Sequence, residues 1–270
     1  MYRFTLQPRW ILSHLFVVVI VAACVTAGLW QLERLEQRRD RNALLEARAD
    51  LPTEPIADVI TPDATPAEAD AVTYRRVEAT GTYSLADDVL VANRSNGGAP
   101  GYWVLTPLVT DEGWAVLVNR GWIPLGVGDD PDARAARAAP PTGRVTVAGL
   151  LSPSQVRGSP GPVDEVTGRI ERLARVDVGA VEAQTRLDLV ADWLALEAQA
   201  PPVGDLPLPV APPDRDEGPH LSYAIQWAFF GSLAIGGYAL ILRRVARDKA
   251  REAEGRPRAP SGSRLVPVDD

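Results

Sequence analysis

Two apolar runs without a formal charge, residues 11–32 ("ILSHLFVVVIVAACVTAGLWQL") and 221–242, lie near opposite ends of this chain of 270 residues. Each is 22 residues long. As a helix with ~1.5 Å rise per residue such a run reaches roughly 33 Å, which matches a hydrocarbon core of about 30 Å. A buried soluble helix is seldom so apolar for so long. The pair therefore predicts a membrane protein: a two-helix transmembrane hairpin that carries residues 33–220 on one side and tails 1–10 and 243–270 on the other. The "VAAC" ending at Cys24 has the form of a lipoprotein signal. The chain after it stays apolar ("VTAGLWQL"), where a cleaved signal is followed by polar residues, so the run reads as an uncleaved span.

Basic residues near the spans set the expected orientation. Nine lie on the terminal sides, from Arg3 and Arg9 to the cluster around Arg243–Arg258, against six on the central side. Both termini are expected in the cytoplasm, and the central segment outside the cell membrane. That segment holds 18 arginines against 30 aspartates and glutamates. An acidic external domain argues for no nucleic-acid partner, and membrane lipid remains the surroundings of the spans. The chain has one cysteine, Cys24, and one methionine, Met1. The external domain can therefore build no disulfide, no CxxC redox pair and no thiolate or thioether copper site.

Between the spans the pattern changes from helical to alternating. Residues 33–49, with Glu and Arg at helical spacings, prolong the first helix beyond its apolar run. Residues 56–72 and 126–143, rich in Pro, Ala and Asp, read as loops. Alternating runs at 74–85, 88–94, 102–110, 114–125 and 144–151 read as strands, with Asn96-Gly97 as a hairpin turn. Residues 176–184 suggest a short helix capped by Asp177, and 189–198 a further strand. Residues 201–219 hold seven prolines and read as an extended tether. The tail beyond Ala253 is expected to be largely disordered. The fold class is then a helical hairpin bearing an extracytoplasmic β-rich (α+β) domain, a small antiparallel barrel or sandwich.

Only two histidines occur, His14 and His220. His220 opens the second span. On that helix Tyr223 and Trp227 share its face, with Gln226 close by, and Trp30 and Gln31 end the first span at the same depth. Two readings stand. The aromatic residues form an interface belt that needs no ligand, or His220 binds a metal or porphyrin iron with the rings around it. No nucleophile–His–acid arrangement, dinucleotide fingerprint or phosphate loop is present, so no enzyme is expected. Acidic pairs such as Asp87-Asp88 and Asp129-Asp130 read as solvated loop charges.

Five segments in order, "GLWQLER" (28–34), "YRRVEATGTY" (74–83), "NRSNGGAPGYWVLTPL" (93–108), "VLVNRGWIP" (116–124) and "HLSYAIQW" (220–227), resemble the surfeit locus protein 1 family. The resemblance spans nearly the whole chain. It implies an assembly factor for haem-a-containing cytochrome c oxidase that promotes haem a insertion into, or its stabilisation in, the catalytic subunit, with haem a synthase as a second candidate partner. It also implies haem a as a transient cofactor with His220 as the metal ligand. Tyr223, Trp227, Gln226, Trp30 and Gln31 would surround it. Arg94 and Arg120, each following an asparagine near a turn, could meet haem propionates or simply pair with an Asp. Family members usually carry asparagines before the histidine; here Gly218 and Pro219 stand there. The alternatives are an oxidase chaperone that binds no haem, and a two-span receptor with an external ligand-binding domain.

Overall fold

Residues Pro8–Ala49 form one unbroken helix of 42 residues, α1. At ~1.5 Å per residue it is roughly twice as long as a bilayer core is thick, because the charged stretch from Glu33 carries the apolar run onward. The computed structural model describes residues 3–155, 169–253 and 255. It divides into two compact units, Met1–Arg41 with Arg215–Asp270, and Asn42–Asp214.

The first unit is an antiparallel helix pair, α1 with the last helix of the chain, α7 (His220–Ala253). Both have windows apolar enough to cross a membrane, with mean hydropathy 2.4 and 1.6. The second helix starts one residue earlier than its apolar run and continues through the basic cluster to Ala253. The remaining tail, 254 and 256–270, lies outside the described residues. The two helices approach along a stripe of small residues. A Cβ on Gly28 would lie 3.7 Å from Trp227 Cβ, and one on Gly231 3.5 Å from Cys24 Cβ. Small residues at these positions let the backbones approach. Towards the chain termini, Tyr238 Oη joins Ser13 Oγ (2.6 Å) and His14 Nδ1 (2.7 Å), so the polar groups of the apolar segment satisfy one another across the pair.

The second unit is β-rich. Its strands are β1 (Glu54–Pro55), β2 (Arg76–Tyr83), β3 (Val89–Asn96), β4 (Ala99–Thr110), β5 (Ala115–Pro124), β6 (Arg144–Ser152), β7 (Arg172–Leu173) and β8 (Leu189–Ala200). The order β2-β6-β8-β5-β4 closes because β4 also pairs with β2. Of the two expected architectures, barrel and sandwich, the closed barrel is the one formed. All its pairs are antiparallel except β5–β8. The first of the five strands thus pairs with the second and fourth, and the third with the fifth in parallel, which is the Greek-key order of an OB-type barrel. That order says nothing by itself of the ligand. Closure turns on Gly81, which faces Val145 of β6 and Thr110 of β4. A Cβ there would come 2.0 Å from Val109 O.

Inside the barrel, Val77, Ala79, Leu108, Val116, Val118, Val145, Val147 and Leu194 form the core. A second cluster lies where β3, β7 and the short helix α6 (Val178–Glu182) cover β4, β5 and β8. As expected, Asp177 caps α6, its Oδ1 accepting from Ala180 N at 3.0 Å. The Asn96-Gly97 hairpin also forms, with Gly97 and Gly98 at φ +57° and +84°. The two expected loops contain helices. Residues 56–72 hold α2 (Ile56–Val59) and α3 (Pro66–Val72), the latter started by a capping box between Thr65 and Glu68. Residues 126–143 hold α5 (Pro131–Arg137), capped by Asp130 and preceded by α4 (Leu125–Gly128). Nor is the proline-rich segment a free tether along its length. Leu208 bonds Trp122 through both backbone groups, N→O at 2.8 Å and O←N at 2.7 Å, and Leu206 and Pro207 are buried.

One carboxyl couples this packing to pH. Asp192 on β8 is 4 % exposed and accepts from Thr73 Oγ1 at 2.7 Å. Burial pushes it up to about 6, while the Thr73 hydroxyl opposes the rise. In the unfolded chain it ionises near 4. Between those values the folded state keeps a proton that the unfolded state has lost, so this group's contribution to stability falls as pH rises from ~4 to ~6. Asp192→Asn, which keeps an acceptor for Thr73, is expected to flatten that decline. At pH 7.5 it should gain about 1–3 kcal/mol over the parent, read by denaturant unfolding at pH 5 and 7.5.

Candidate functional site

His220 is the first residue of α7, after Gly218 (φ +71°) and Pro219. Its ring reaches across the helix pair to Gln31, with Nδ1 2.8 Å from Oε1. An amide oxygen can only accept, so in this contact Nδ1 carries the hydrogen. The other ring nitrogen, Nε2, makes no hydrogen bond among the described residues. That is how a ligating histidine is set up: one ring nitrogen is tied to an acceptor, and the other is oriented for the metal. Gly218 lies against this edge of the ring, where a Cβ would stand 3.4 Å from Cδ2 and 3.5 Å from Nε2. Its lack of a side chain keeps the approach to Nε2 open. An ion pair one level above, Arg39 with Glu217, is bidentate at 3.0 and 2.9 Å but about half exposed, so it aligns the two elements more than it stabilises them.

Beginning about one turn along the helices from His220, which is not among its walls, an apolar groove of about 300 Å³ is lined by Gly28, Leu32, Ala224, Trp227, Gly231 and Ile235 among others. The glycine stripe that brings the helices together also makes this recess. Trp227 stands in it, edge-on to Phe230 at 6.0 Å. The residues singled out beside His220 are therefore sorted. Gln31 holds the ring, and Trp227 lines the groove. Trp30 and Tyr223 are 50 % and 46 % exposed, and Gln226 is also exposed. Trp30 carries the Arg34 guanidinium 5.6 Å above its ring. These three side chains face whatever surrounds the helix pair. Among the described residues no three His, Cys, Asp or Glu side chains converge as a metal centre.

The two singled-out arginines lie in the barrel unit, and Arg94 stands just before the Asn96-Gly97 turn. Each follows an asparagine at a β-bulge. Asn93 (φ +58°) sits where the β3–β4 register shifts. On β5, Val104 faces Gly121 and Leu105 faces Asn119, so Arg120 is the extra residue. Gly121 (φ +133°) permits the distortion, and a Cβ there would strike Leu208 O at 2.3 Å. A bulge re-aims its side chain. Arg94 lies over Trp103, its guanidinium carbon 4.5 Å from the ring centroid, with a buried Nε that has no partner among the described residues. Burial lowers its pKa.

Arg120 is 5 % exposed. It donates from Nε to Thr106 Oγ1 (2.8 Å) and from Nη1 to Ala138 O (2.9 Å), and its Nη2 lies 3.8 Å from Asp88 Oδ1. Thr106 Oγ1 donates to the same Asp88 oxygen, and the Tyr83 ring lies 5.8 Å from the guanidinium. Asp88 is thus no solvated loop charge. Burial raises its pKa, against the pull of Arg120 and Thr106, and burial lowers that of Arg120. Asp129 and Asp130 are engaged too, the first by Tyr102 and Arg172, the second as a helix cap. Distance along the chain hid these roles; an acidic doublet carries no mark of its partner.

The sequence model of the SURF1 family matches residues 18–232. An uncharacterized SURF1-like protein of Mycobacterium bovis is 31% identical over 259 residues, covering 94% of this chain and 91% of that protein. A SURF1-like protein of Rickettsia felis is 23% identical over 239 residues, covering 86% and 98%. The cytochrome oxidase assembly protein SHY1 of Saccharomyces cerevisiae is 29% identical over 152 residues, covering 55% and 37%.

The buried pair yields a test of its own. Arg120→Met leaves the largely buried Asp88 without its main counter-charge, so its pKa should rise further and the variant should lose stability as pH increases. Breaking such a pair costs roughly 3 kcal/mol. Thermal unfolding of the Arg120→Met and Arg120→Met/Asp88→Asn variants at pH 5 and 8 checks this. The double variant is expected to recover part of the loss at pH 8 and little at pH 5.

Proposed function

This chain belongs to the SURF1 family, and from that premise we propose that it serves the assembly of haem-a-containing cytochrome c oxidase, holding haem a at the His220 end of its helix pair. Both helices span the cell membrane, with the termini in the cytoplasm and the barrel unit outside. The name of the yeast relative supports the assembly role. The observation that carries the site is the His220 Nδ1–Gln31 Oε1 contact, which leaves the other imidazole nitrogen unspent, about one helical turn from an apolar groove.

The residues present fit such a group. Haem iron takes an imidazole nitrogen as axial ligand, and its macrocycle is apolar. When bound, the haem supplies the redox iron that the oxidase requires. Everything else is done by the chain. His220 binds, Gln31 keeps the imidazole in the ligating tautomer, and Gly218 leaves the Nε2 edge clear. Trp227 and the glycine-lined groove exclude water from an apolar face. A single imidazole with no second histidine at that depth suits a carrier that must give its cargo up. The acceptor is the catalytic subunit of the oxidase, and haem a synthase is the donor. The outward-facing Trp30 and Tyr223 are available to contact helices of either.

Membranes from a host that makes haem a provide the test. The detergent-purified parent is expected to show a reduced-minus-oxidised haem a band that His220→Ala lacks, at equal yield and equal unfolding midpoint. Gln31→Leu keeps the ligand but frees the ring, and should weaken haem retention by about 10–100-fold. A haem spectrum unaltered in His220→Ala would overturn the ligand assignment. Absence of haem from parent and variants alike, with oxidase activity still dependent on the gene, would leave an assembly chaperone that never holds the cofactor.

A further inference from the structure

At one end of the barrel lies a cavity of about 430 Å³, lined by residues of the β2–β3 connection, of α5 and of the segment before β7. This is within the ~300–1,000 Å³ range of small-molecule sites. Its charged walls are Arg120, Arg134 and Arg169 against Asp88 and Glu171. A surplus of base over acid is unexpected here, since the segment that contains it is strongly acidic. We propose that this cavity is a binding site for a small oxyanion, with Arg120 at its floor and Arg134 and Arg169 on its walls.

Arg120 is aimed into the cavity by the β5 bulge and cannot move freely. Nε and Nη1 are committed to Thr106 Oγ1 and Ala138 O, both neutral acceptors. The third nitrogen, Nη2, is 3.8 Å from Asp88 Oδ1, an ion-pair distance beyond hydrogen-bond reach. Its hydrogens are thus not claimed by the partner charge. Arg134, on α5, is half-buried and makes no side-chain hydrogen bond among the described residues, though its charge acts on both Asp88 and Arg120. Arg169 donates to Ala86 O, which places its guanidinium at the rim beside the β2–β3 connection. Planar guanidinium forks from three separate elements, one of them pinned, are the donor set that phosphate and carboxylate oxygens require. A surface arginine added for solubility would be neither buried nor bulge-directed. The site lies wholly in the barrel unit, and this inference does not rest on the haem reading.

Phosphate and carboxylate share the donor chemistry, and the experiment separates them. The full chain, purified in detergent, is titrated with inorganic phosphate, succinate or chloride at constant ionic strength, and the thermal unfolding midpoint is followed by tryptophan fluorescence. A midpoint that rises with phosphate or succinate beyond chloride, and saturates, is expected. The anion that acts at the lower concentration identifies the ligand class. Arg134→Gln/Arg169→Gln keeps Arg120, the main counter-charge of Asp88, and removes two weaker ones, so its midpoint in chloride should fall only modestly while apparent anion affinity falls at least tenfold. Arg134→Lys/Arg169→Lys, which keeps charge without the fork, should fall between the two. No saturable shift beyond chloride in the parent, or an equal shift in parent and double glutamine variant, would overturn the proposal. If the glutamine variant fails to fold, the lysine variant decides by the same comparison.

Discussion

The barrel depends on one strand being hydrogen-bonded along both edges. Gly81 of β2 faces β6 on one side and β4 on the other, and the two backbones come too close there for any Cβ. With that closure the five strands have no free edge. Their ladders are satisfied, and the interior fills with valine and leucine. A polar side chain then enters such a barrel most cheaply at an end. Arg120 does so because a bulge displaces it from the alternation of its strand. The network around it, Thr106, Asp88, Tyr83 and Ala138 O, brings together four segments of chain.

A different economy governs the helix pair. An apolar segment offers its polar groups few hydrogen bonds, so they either pair within the protein or mark a function. Here both histidines reach the facing helix, but to different ends. His14 closes a chain with Tyr238 and Ser13 that holds the termini-proximal half of the pair together. His220 uses one nitrogen on Gln31 and keeps the other. Membership of the SURF1 family makes the second arrangement the one to probe, and the glycine stripe that forms the nearby groove is as much part of it as the ring itself.

Much of this was legible before any tertiary contact was known. The two long helices followed from charge-free apolar length, the hairpin at Asn96-Gly97 from turn chemistry, and the short helix after Asp177 from its cap. Helices α3 and α5 carried equally plain signals, Thr65-Pro66 with Glu68 and Asp130-Pro131. They read as loops because surrounding prolines and alanines give no apolar face to count. The proline-rich stretch misled for the opposite reason: its composition suits an open tether, while Leu206 and Pro207 are buried and Leu208 pairs with Trp122.

The sequence alone determined the elements whose cause is local: apolar length, alternation, caps and turns, and the two histidines with a family likeness around one of them. Tertiary structure alone decided which residues act together. Gln31 and His220 are 189 positions apart, and nothing near either one distinguishes Gln31 from Gln226 as its partner. Arg120 and Asp88 likewise meet only when the barrel closes, and only a register shift shows that Arg120 points inward. Local propensity depends on neighbours in the chain. A site depends on neighbours in space, and those exist only once the helices pair and the sheet joins its own first strand.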